Sequence, residues 1–456
     1  MLFFPKSIAN IQTFSYFCTL ETKIVMKKLL LVAFGALFCL LLRAQTVADE
    51  IRQNVLCTAS NYMAYPGPTQ LMLTPSPDGM EPFYISHYGR HGSRYHSKPS
   101  MYNQPYQTLA KADSLGKLTP LGREVMLRLD RIRHDADGRW GELTPLGAMQ
   151  HRDIARRMIE RFPEVFVGPA DIDARSTTVG RCILSMEYAL MEMLTLNPLL
   201  NIHHNATHRD AEAFNYQDKE MMALRFNKPA KKWYKDYEHQ CANFDHLMQT
   251  LFTDTAYVNR HVDVIELGRE LFLLAAIIQN TELRDQVTLY DIFTFDEAYN
   301  TWKMGNAYWY IGWGAADVNG AVQPYSQRKL LRRLIDDADK IVGQPKRRVQ
   351  LRFGHESVLL PLLCLIDVNG LGLTTQDLNQ LEPNGWVNYR IVPMASNLQF
   401  IFYRHSEQDS ADDVLFKVLL NENEATLPLP TDQAPYYKWS DFRSYCLKKL
   451  EAYEEK

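Results

Sequence analysis

Two strand-into-turn segments, one near each end of the chain, constrain its fold more than any other feature. Pro82 to His87 is a run rich in aromatic and β-branched residues, and it leads into Gly89-Arg90-His91-Gly92. That composition, stopped by glycines, reads as a β-strand entering a tight turn. Arg348 to Phe353 repeats the arrangement and leads into Gly354-His355-Glu356, with an apolar helical run to Leu365 behind it. Between them, Asp171 to Ser176 is a short extended segment, and after Gly180 a helical pattern takes over with Leu184, Tyr188, Leu190 and Met191. Strands and helices that alternate at both ends predict an α/β fold, with a mostly parallel sheet flanked by helices.

The middle of the chain has a different character. From about 195 to 335 it is dominated by Tyr, Trp, His and long charged helical stretches, with no clear strand. This predicts an inserted helical cap domain, with the α/β domain built from 45–194 and 336–456. Further strands are expected at Tyr389 to Val392, Leu398 to Tyr403 and Val414 to Leu420. The words Leu-Thr-Pro-Leu-Gly occur twice, at 118–122 and 143–147. Thr followed by Pro is an N-cap and a first helical residue, so each marks a helix start.

The chain begins with a segment that reads as a targeting signal. Met26-Lys27-Lys28 is followed by an unbroken apolar run from Leu29 to Leu42, then Arg43-Ala44. The run is shorter than the roughly 20 residues that span a bilayer. It reads as a signal peptide over 26–44, cleaved near Ala44. Residues 1–25 then lie upstream of the true start. The expected location is periplasmic or secreted, without a stable membrane anchor once the signal is removed. Of the seven cysteines, Cys18 and Cys39 fall before the cleavage point. The remaining five are widely spaced with no C-x-x-C pair, so no zinc or iron–sulfur site is indicated, and Cys364 reads as a core residue.

Arg90-His91-Gly92-Ser93-Arg94 carries the most chemistry. It directly follows a predicted strand, where open α/β sheets place ligands. Each arginine presents a planar fork that matches phosphate oxygens. Positive neighbours disfavour a cationic imidazole, so His91 stays neutral with a nucleophilic ring nitrogen, and Gly92 allows close backbone approach to a ligand. Arg175 ends another extended segment. His355 would add a donor to a bound phosphate, and the carboxyl of Glu356 beside it can protonate a leaving oxygen.

These residues resemble a known family. Arg90-His91-Gly92-Ser93-Arg94 looks like the R-H-G-x-R signature of the histidine acid phosphatases, the second branch of the histidine phosphatase superfamily. Gly141 to Gly147 with Gln150-His151-Arg152, Phe353-Gly354-His355 with Leu359 to Leu362, and Met394 to Leu398 are similar to the multiple inositol polyphosphate phosphatases, which are phytases. The resemblance implies that His91 is a nucleophile forming a phosphohistidine, that Arg90, Arg94, Arg175 and His355 hold the phosphate, and that Glu356 is the proton donor. It implies a small phosphate ester as substrate, inositol polyphosphates such as phytate first, and no metal or organic cofactor. Arg181 competes with Arg175; Arg175 is preferred because the family's arginine ends the strand before a small hydroxyl residue. The late motif departs from the family. Most members have His-Asp there and the inositol polyphosphate phosphatases His-Ala-Glu, whereas this chain has His355-Glu356-Ser357. A general or sugar-phosphate phosphatase, and a non-catalytic phosphate-ester binding protein on the same fold, are the competing readings.

A formal net charge of −3 argues against a nucleic-acid partner, which would want a basic excess. Lys98, just after the signature, is a candidate for further substrate phosphates. Lys228, Lys231, Lys232 and Lys235 read as a solvated helix face. Trp302, Trp309 and Trp313 read as packing residues. His203, His204 and His208 have two histidines four apart, a spacing for a shared helix face, yet no carboxylate or Cys nearby in sequence completes a metal set.

Overall fold

The computed structural model describes residues 46–454, apart from 210–213, 215–217, 345, 408 and 411. The signal segment, residues 1–25, Cys18 and Cys39 lie outside the described residues. Val47–Gln53 is helical. The chain from Ile51 onward forms one compact unit.

Its centre is a mixed sheet of order β3-β2-β4-β1-β5-β6-β7, with β8 also paired to β6. The strands are β1 (Glu81–Arg90), β2 (Asp171–Ser176), β3 (Asn201–Asn205), β4 (Arg348–Gly354), β5 (Asn397–Arg404), β6 (Leu415–Leu420), β7 (Asn423–Ala425) and β8 (Tyr437–Lys438). The pairs β3–β2, β2–β4 and β4–β1 are parallel. β5 runs against β1, and β6 against β5, so β6 shares the direction of β1 to β4. β7 and β8 run against β6. The expected α/β architecture is therefore present, with a sheet mostly but not wholly parallel.

β1 is central and buried on both faces along all but its first residue, which is why it reads as a near-continuous apolar and aromatic run. On one face, Ile85, Ile172, Ala174, Val349, Leu351 and Phe353 share a core. On the other, Arg352 donates to Ser86 Oγ at 3.1 Å and pairs with Asp337 at 2.9 Å. Asp337 belongs to a helix, Arg328–Val342, that is buried along one stripe. The boundary expected at residue 335 falls inside that helix.

Both Leu-Thr-Pro-Leu-Gly words are helix starts, of α1 (Pro120–Asp135) and α2 (Pro145–Arg161). They also share a second task. The N–H groups of Thr119 and Thr144 donate to Leu251 O and Ser93 O, at 3.0 and 2.9 Å. A Cβ on Gly122 or Gly147 would stand 2.2 or 2.3 Å from those same carbonyls. Each word therefore starts a helix and docks a passing backbone against its glycine.

Two local expectations are corrected. The stretch from 195 holds a strand after all: β3 pairs with β2 and carries His203 and His204. β3 is a polar, mostly exposed edge strand, so it lacks the apolar alternation that announces one. Tyr389 to Val392 is not a strand; Asn388–Ile391 is one helical turn. Asn388 is held by Asn306 Oδ1 and by the Trp302 indole, at 2.9 and 3.1 Å, and Pro393 follows directly. Tertiary bonds and the proline override the β propensity of Tyr, Ile and Val.

Candidate active site

The carboxyl ends of β2, β4 and β1 lie side by side, because Ser176 pairs with Phe353 and Gly354 with Arg90. Beyond them start α3 (Gly180–Leu196) and α4 (Glu356–Leu365), with His355 as N-cap of α4. Two helix N-termini thus open at the strand ends, an arrangement that favours anions.

The Arg90-His91 peptide is clamped on both sides. Arg90 N donates to Ser396 O at 2.8 Å and His91 N to Gly354 O at 3.0 Å, while His91 O accepts from Ala395 N at 3.0 Å. Gly92 N donates to Ser185 Oγ, and Ser93 N to the Gln150 amide oxygen. The Met394-to-Leu398 and Gln150 words are thus the girders of the signature loop. Gly92 also makes a close approach within the protein. A Cβ there would lie 2.5 Å from Gly147 O, so its close approach is to the α2 start.

His91 is fully buried. Its Nδ1 lies 2.9 Å from Gly92 O. A carbonyl only accepts, so Nδ1 carries the hydrogen and Nε2 carries the lone pair. Nε2 has no hydrogen-bond partner. Burial, followed by the charges of Arg181, Arg90 and Arg94 and by His355, holds this imidazole well below its ordinary range. It is a neutral base in a ring of cations. Arg90 Nη2, Arg94 Nε and Arg181 Nε are likewise buried without hydrogen-bond partners. Buried donors left over in this way call for an acceptor, and a tetrahedral oxyanion offers several.

Glu356 faces this group. Its Oε2 is 3.0 Å from Arg90 Nε and 3.7 Å from His91 Nε2. Burial alone would push the carboxyl up, but Arg90 and Arg94, with His355, hold it down to about 2. Its place in the first turn of α4 also favours the anion. Beside it, burial lowers His355 to about 4 despite the Glu356 charge. The His355 ring stands edge-on to His91, 5.6 Å between centroids, with Thr177 Oγ1 3.5 Å from its Nε2 and Cys182 Sγ 3.7 Å away.

The structure brings together His91, Arg90, Arg94, His355 and Glu356. It does not bring Arg175 to them. Arg175 lies level with Arg352, two residues short of Gly354 in the β4 register, and its Nε is tied to Asp173 at 2.7 Å. Arg181, second residue of α3, is the arginine whose charge bears most on His91. The third-arginine position is therefore corrected to Arg181: the helix start, not the strand end, reaches the site. Lys98 is exposed, just after the buried signature segment. Sequence reasoning passed over Asn61 altogether. Its amide nitrogen donates to Glu356 Oε1 at 3.2 Å, and its carbonyl accepts from Arg90 Nη1 at 2.5 Å.

A cavity of about 310 Å³ opens beside Glu356. Its walls include Tyr62, Tyr234, Phe272, Tyr308 and Trp309, with Arg269, which is paired to Glu238 at 2.7 Å. Trp302 is fully buried. Among the described residues, His91, His355 and Glu356 are the one group of His, Cys and carboxylate ligands spaced to hold a cation. The three surrounding arginines make it an anion site instead. His204 has a carboxylate neighbour, Glu187 at 2.8 Å, on the exposed surface. All five described cysteines are buried, and Cys182, Cys241, Cys364 and Cys446 are free. No helix among the described residues is long and apolar enough to cross a membrane.

The model of the histidine phosphatase superfamily (branch 2) matches residues 89–421. The chain belongs to this superfamily. Human "Multiple inositol polyphosphate phosphatase 1" is 29% identical over 165 residues, 34% of this chain and 33% of the human protein. The chain thus aligns with only about a third of that relative. The Gallus gallus protein of the same name is 23% identical over 327 residues, 65% of this chain and 68% of that one. Among solved structures, the Bifidobacterium longum multiple inositol polyphosphate phosphatase in complex with inositol hexasulfate has a TM-score of 0.65 at 16% identity, over 85% of this chain and 97% of that one. The phytase from D. castellii has a TM-score of 0.60 at 14% identity, over 87% and 84%. At such identities the likeness is one of fold. In this member of branch 2 the signature begins at the last residue of β1 and continues into the loop after it, and Glu356 opens α4.

Proposed function

We propose that this chain hydrolyses phosphate monoesters through a phosphohistidine at His91. The observation that carries the reading is the free, buried Nε2 of His91 amid three arginines. The phosphoryl group would be held by Arg90, Arg94 and Arg181, with His355. The Nε2 lone pair attacks phosphorus, the bond from phosphorus to the ester oxygen breaks, and Glu356 gives its proton to the departing oxygen. Water then attacks phosphorus, its proton passes to the Glu356 carboxylate, the phosphorus–nitrogen bond breaks with its electron pair returning to His91 Nε2, and phosphate leaves. Glu356 is ionised in the free protein. A bound phosphoryl dianion competes for the arginines and adds negative charge, both of which raise the carboxyl until it holds a proton.

Inositol polyphosphates such as phytate are the proposed substrates, on the strength of the inositol polyphosphate phosphatase and phytase relatives. The aromatic walls beside Glu356 favour a second reading, in which the leaving group is a sugar or another less highly charged alcohol. Export by the Met26-to-Ala44 segment is part of the proposal, as is a capping role for the helices of 195–335. Phosphate release from phytate, glucose 1-phosphate and an aryl phosphate, each beside His91→Ala, tests the function. Release from phytate by wild type alone supports the first reading. Preference for the sugar phosphate favours the second. Activity retained in His91→Ala overturns both.

A further inference from the structure

We propose that Asn61 is the positioning residue that aims the acid, Glu356, at the reacting atoms; this rests on the phosphatase reading above. Asn61 lies outside the 89–421 match and is 3% exposed. It touches both halves of the machinery: its carbonyl holds Arg90 Nη1, and its side-chain amide holds Glu356 Oε1. An ionised carboxylate only accepts hydrogen bonds, so the amide presents its NH2 group to Oε1.

The consequence is directional. Oε1 is occupied by the Asn61 N–H, and Oε2 is the oxygen that faces His91 Nε2. Oε2 also lies 3.0 Å from Arg90 Nε. When a bound phosphoryl group draws Arg90 to itself, Oε2 is released while Oε1 stays held by Asn61, and a proton taken up by Glu356 goes to Oε2, on the reacting side. When Nε2 attacks phosphorus and the ester bond breaks, that proton moves to the departing oxygen, and the resulting carboxylate is again held at Oε1. In the hydrolytic half, Oε2 receives the proton of the attacking water.

The backbone around Asn61 is built to hold this aim. Ser60 has φ 59° and ψ −133° inside the 3₁₀ segment Val55–Tyr62, a conformation costly for a residue with a Cβ. It is fixed by Asn388, whose amide donates to Ser60 Oγ, and Asn388 is in turn held by Trp302 and Asn306. Strain that the surroundings over-determine in this way, one residue from a catalytic contact, fits a positioning role.

The test compares kcat/KM for an alkyl phosphate, whose alkoxide leaves only with a proton, and for p-nitrophenyl phosphate, whose leaving group needs none. Asn61→Ala should lose at least about tenfold on the alkyl ester, within the range of general-acid effects, and stay within about threefold on the aryl ester. Inhibition by inorganic phosphate should be unchanged, because the arginines remain. Asn61→Asp keeps the side-chain size and replaces the donor by an acceptor, and should shift the ratio the same way if the alanine variant does not fold. Equal losses on both esters, or no loss on either, would overturn the assignment while leaving the function standing. A wild type inactive on both esters would overturn the function and this assignment together.

Discussion

Glu356 Oε2 stands 3.7 Å from His91 Nε2 and 3.0 Å from Arg90 Nε. The proposed acid and the proposed nucleophile thus stand side by side among the arginines, and a substrate phosphate would compete with the carboxylate for Arg90. Glu356→Gln should lower kcat/KM for an alkyl phosphate by roughly 10²–10⁴-fold, the span of general-acid catalysis. It should not weaken inorganic phosphate as an inhibitor, since it removes a negative charge from an anion site. Weaker phosphate inhibition would place Glu356 in binding rather than proton transfer.

Anion binding should be linked to proton uptake. The free carboxyl is held at about 2 chiefly by Arg90 and Arg94 against its burial. An anion that engages those arginines raises it. Sulfate binding followed by calorimetry in buffers of different ionisation enthalpy should show net proton uptake at mildly acidic pH, absent in Glu356→Gln. Equal enthalpies in all buffers would contradict the linkage.

Arg181→Ala and Arg175→Ala should differ. Hydrogen bonds to charged groups contribute about 1.5–3 kcal/mol, so loss of Arg181 should cost roughly 10–100-fold in kcat/KM. Arg175 is paired with Asp173 down the strand, and its loss should leave activity within about threefold. Steady-state kinetics on one substrate decides between them.

The contrast shows where sequence reading stops. Strands ending in Arg90-His91 and Gly354-His355, the helix starts at Thr119 and Thr144, and the buried Cys364 follow from local composition and capping chemistry. Which of Arg175 and Arg181 reaches the site depends on strand register and the Asp173 contact, neither of which is local. Asn61 meets Glu356 across 295 positions of chain, and no nearby residue marks it. The β3 edge strand is polar and mostly exposed, so its pairing with β2 leaves no hydrophobic pattern.

Glycine packing at the signature loop should be intolerant. A Cβ at Gly92 meets Gly147 O at 2.5 Å, and one at Gly147 meets Ser93 O at 2.3 Å. These are backbone atoms that cannot swing aside, so each Gly→Ala change should cost about 1–3 kcal/mol or more. Gly180, with nothing within 4 Å, should accept Ala without loss. Urea unfolding midpoints measure all three.

Stability should fall in acid. Burial holds His87, His96 and His151 down to about 3. Their folded values lie below the unfolded value of 6.5, so the fold favours the neutral rings. This contribution is complete above about pH 6.5 and is lost as pH falls from there toward 3, by up to about 1.4 kcal/mol per pH unit for each histidine. Urea midpoints at pH 7, 5.5 and 4.5 should decline in that order; a flat series would contradict the buried neutral state.

The most direct test of the account is to find the phosphoryl group. Wild type mixed with an aryl phosphate and quenched in alkali, which preserves phosphohistidine, should yield a phosphorylated peptide containing His91 by mass spectrometry. His91→Ala should yield neither that peptide nor turnover. Turnover without phosphate on His91, or with phosphate on another residue, would contradict the central claim.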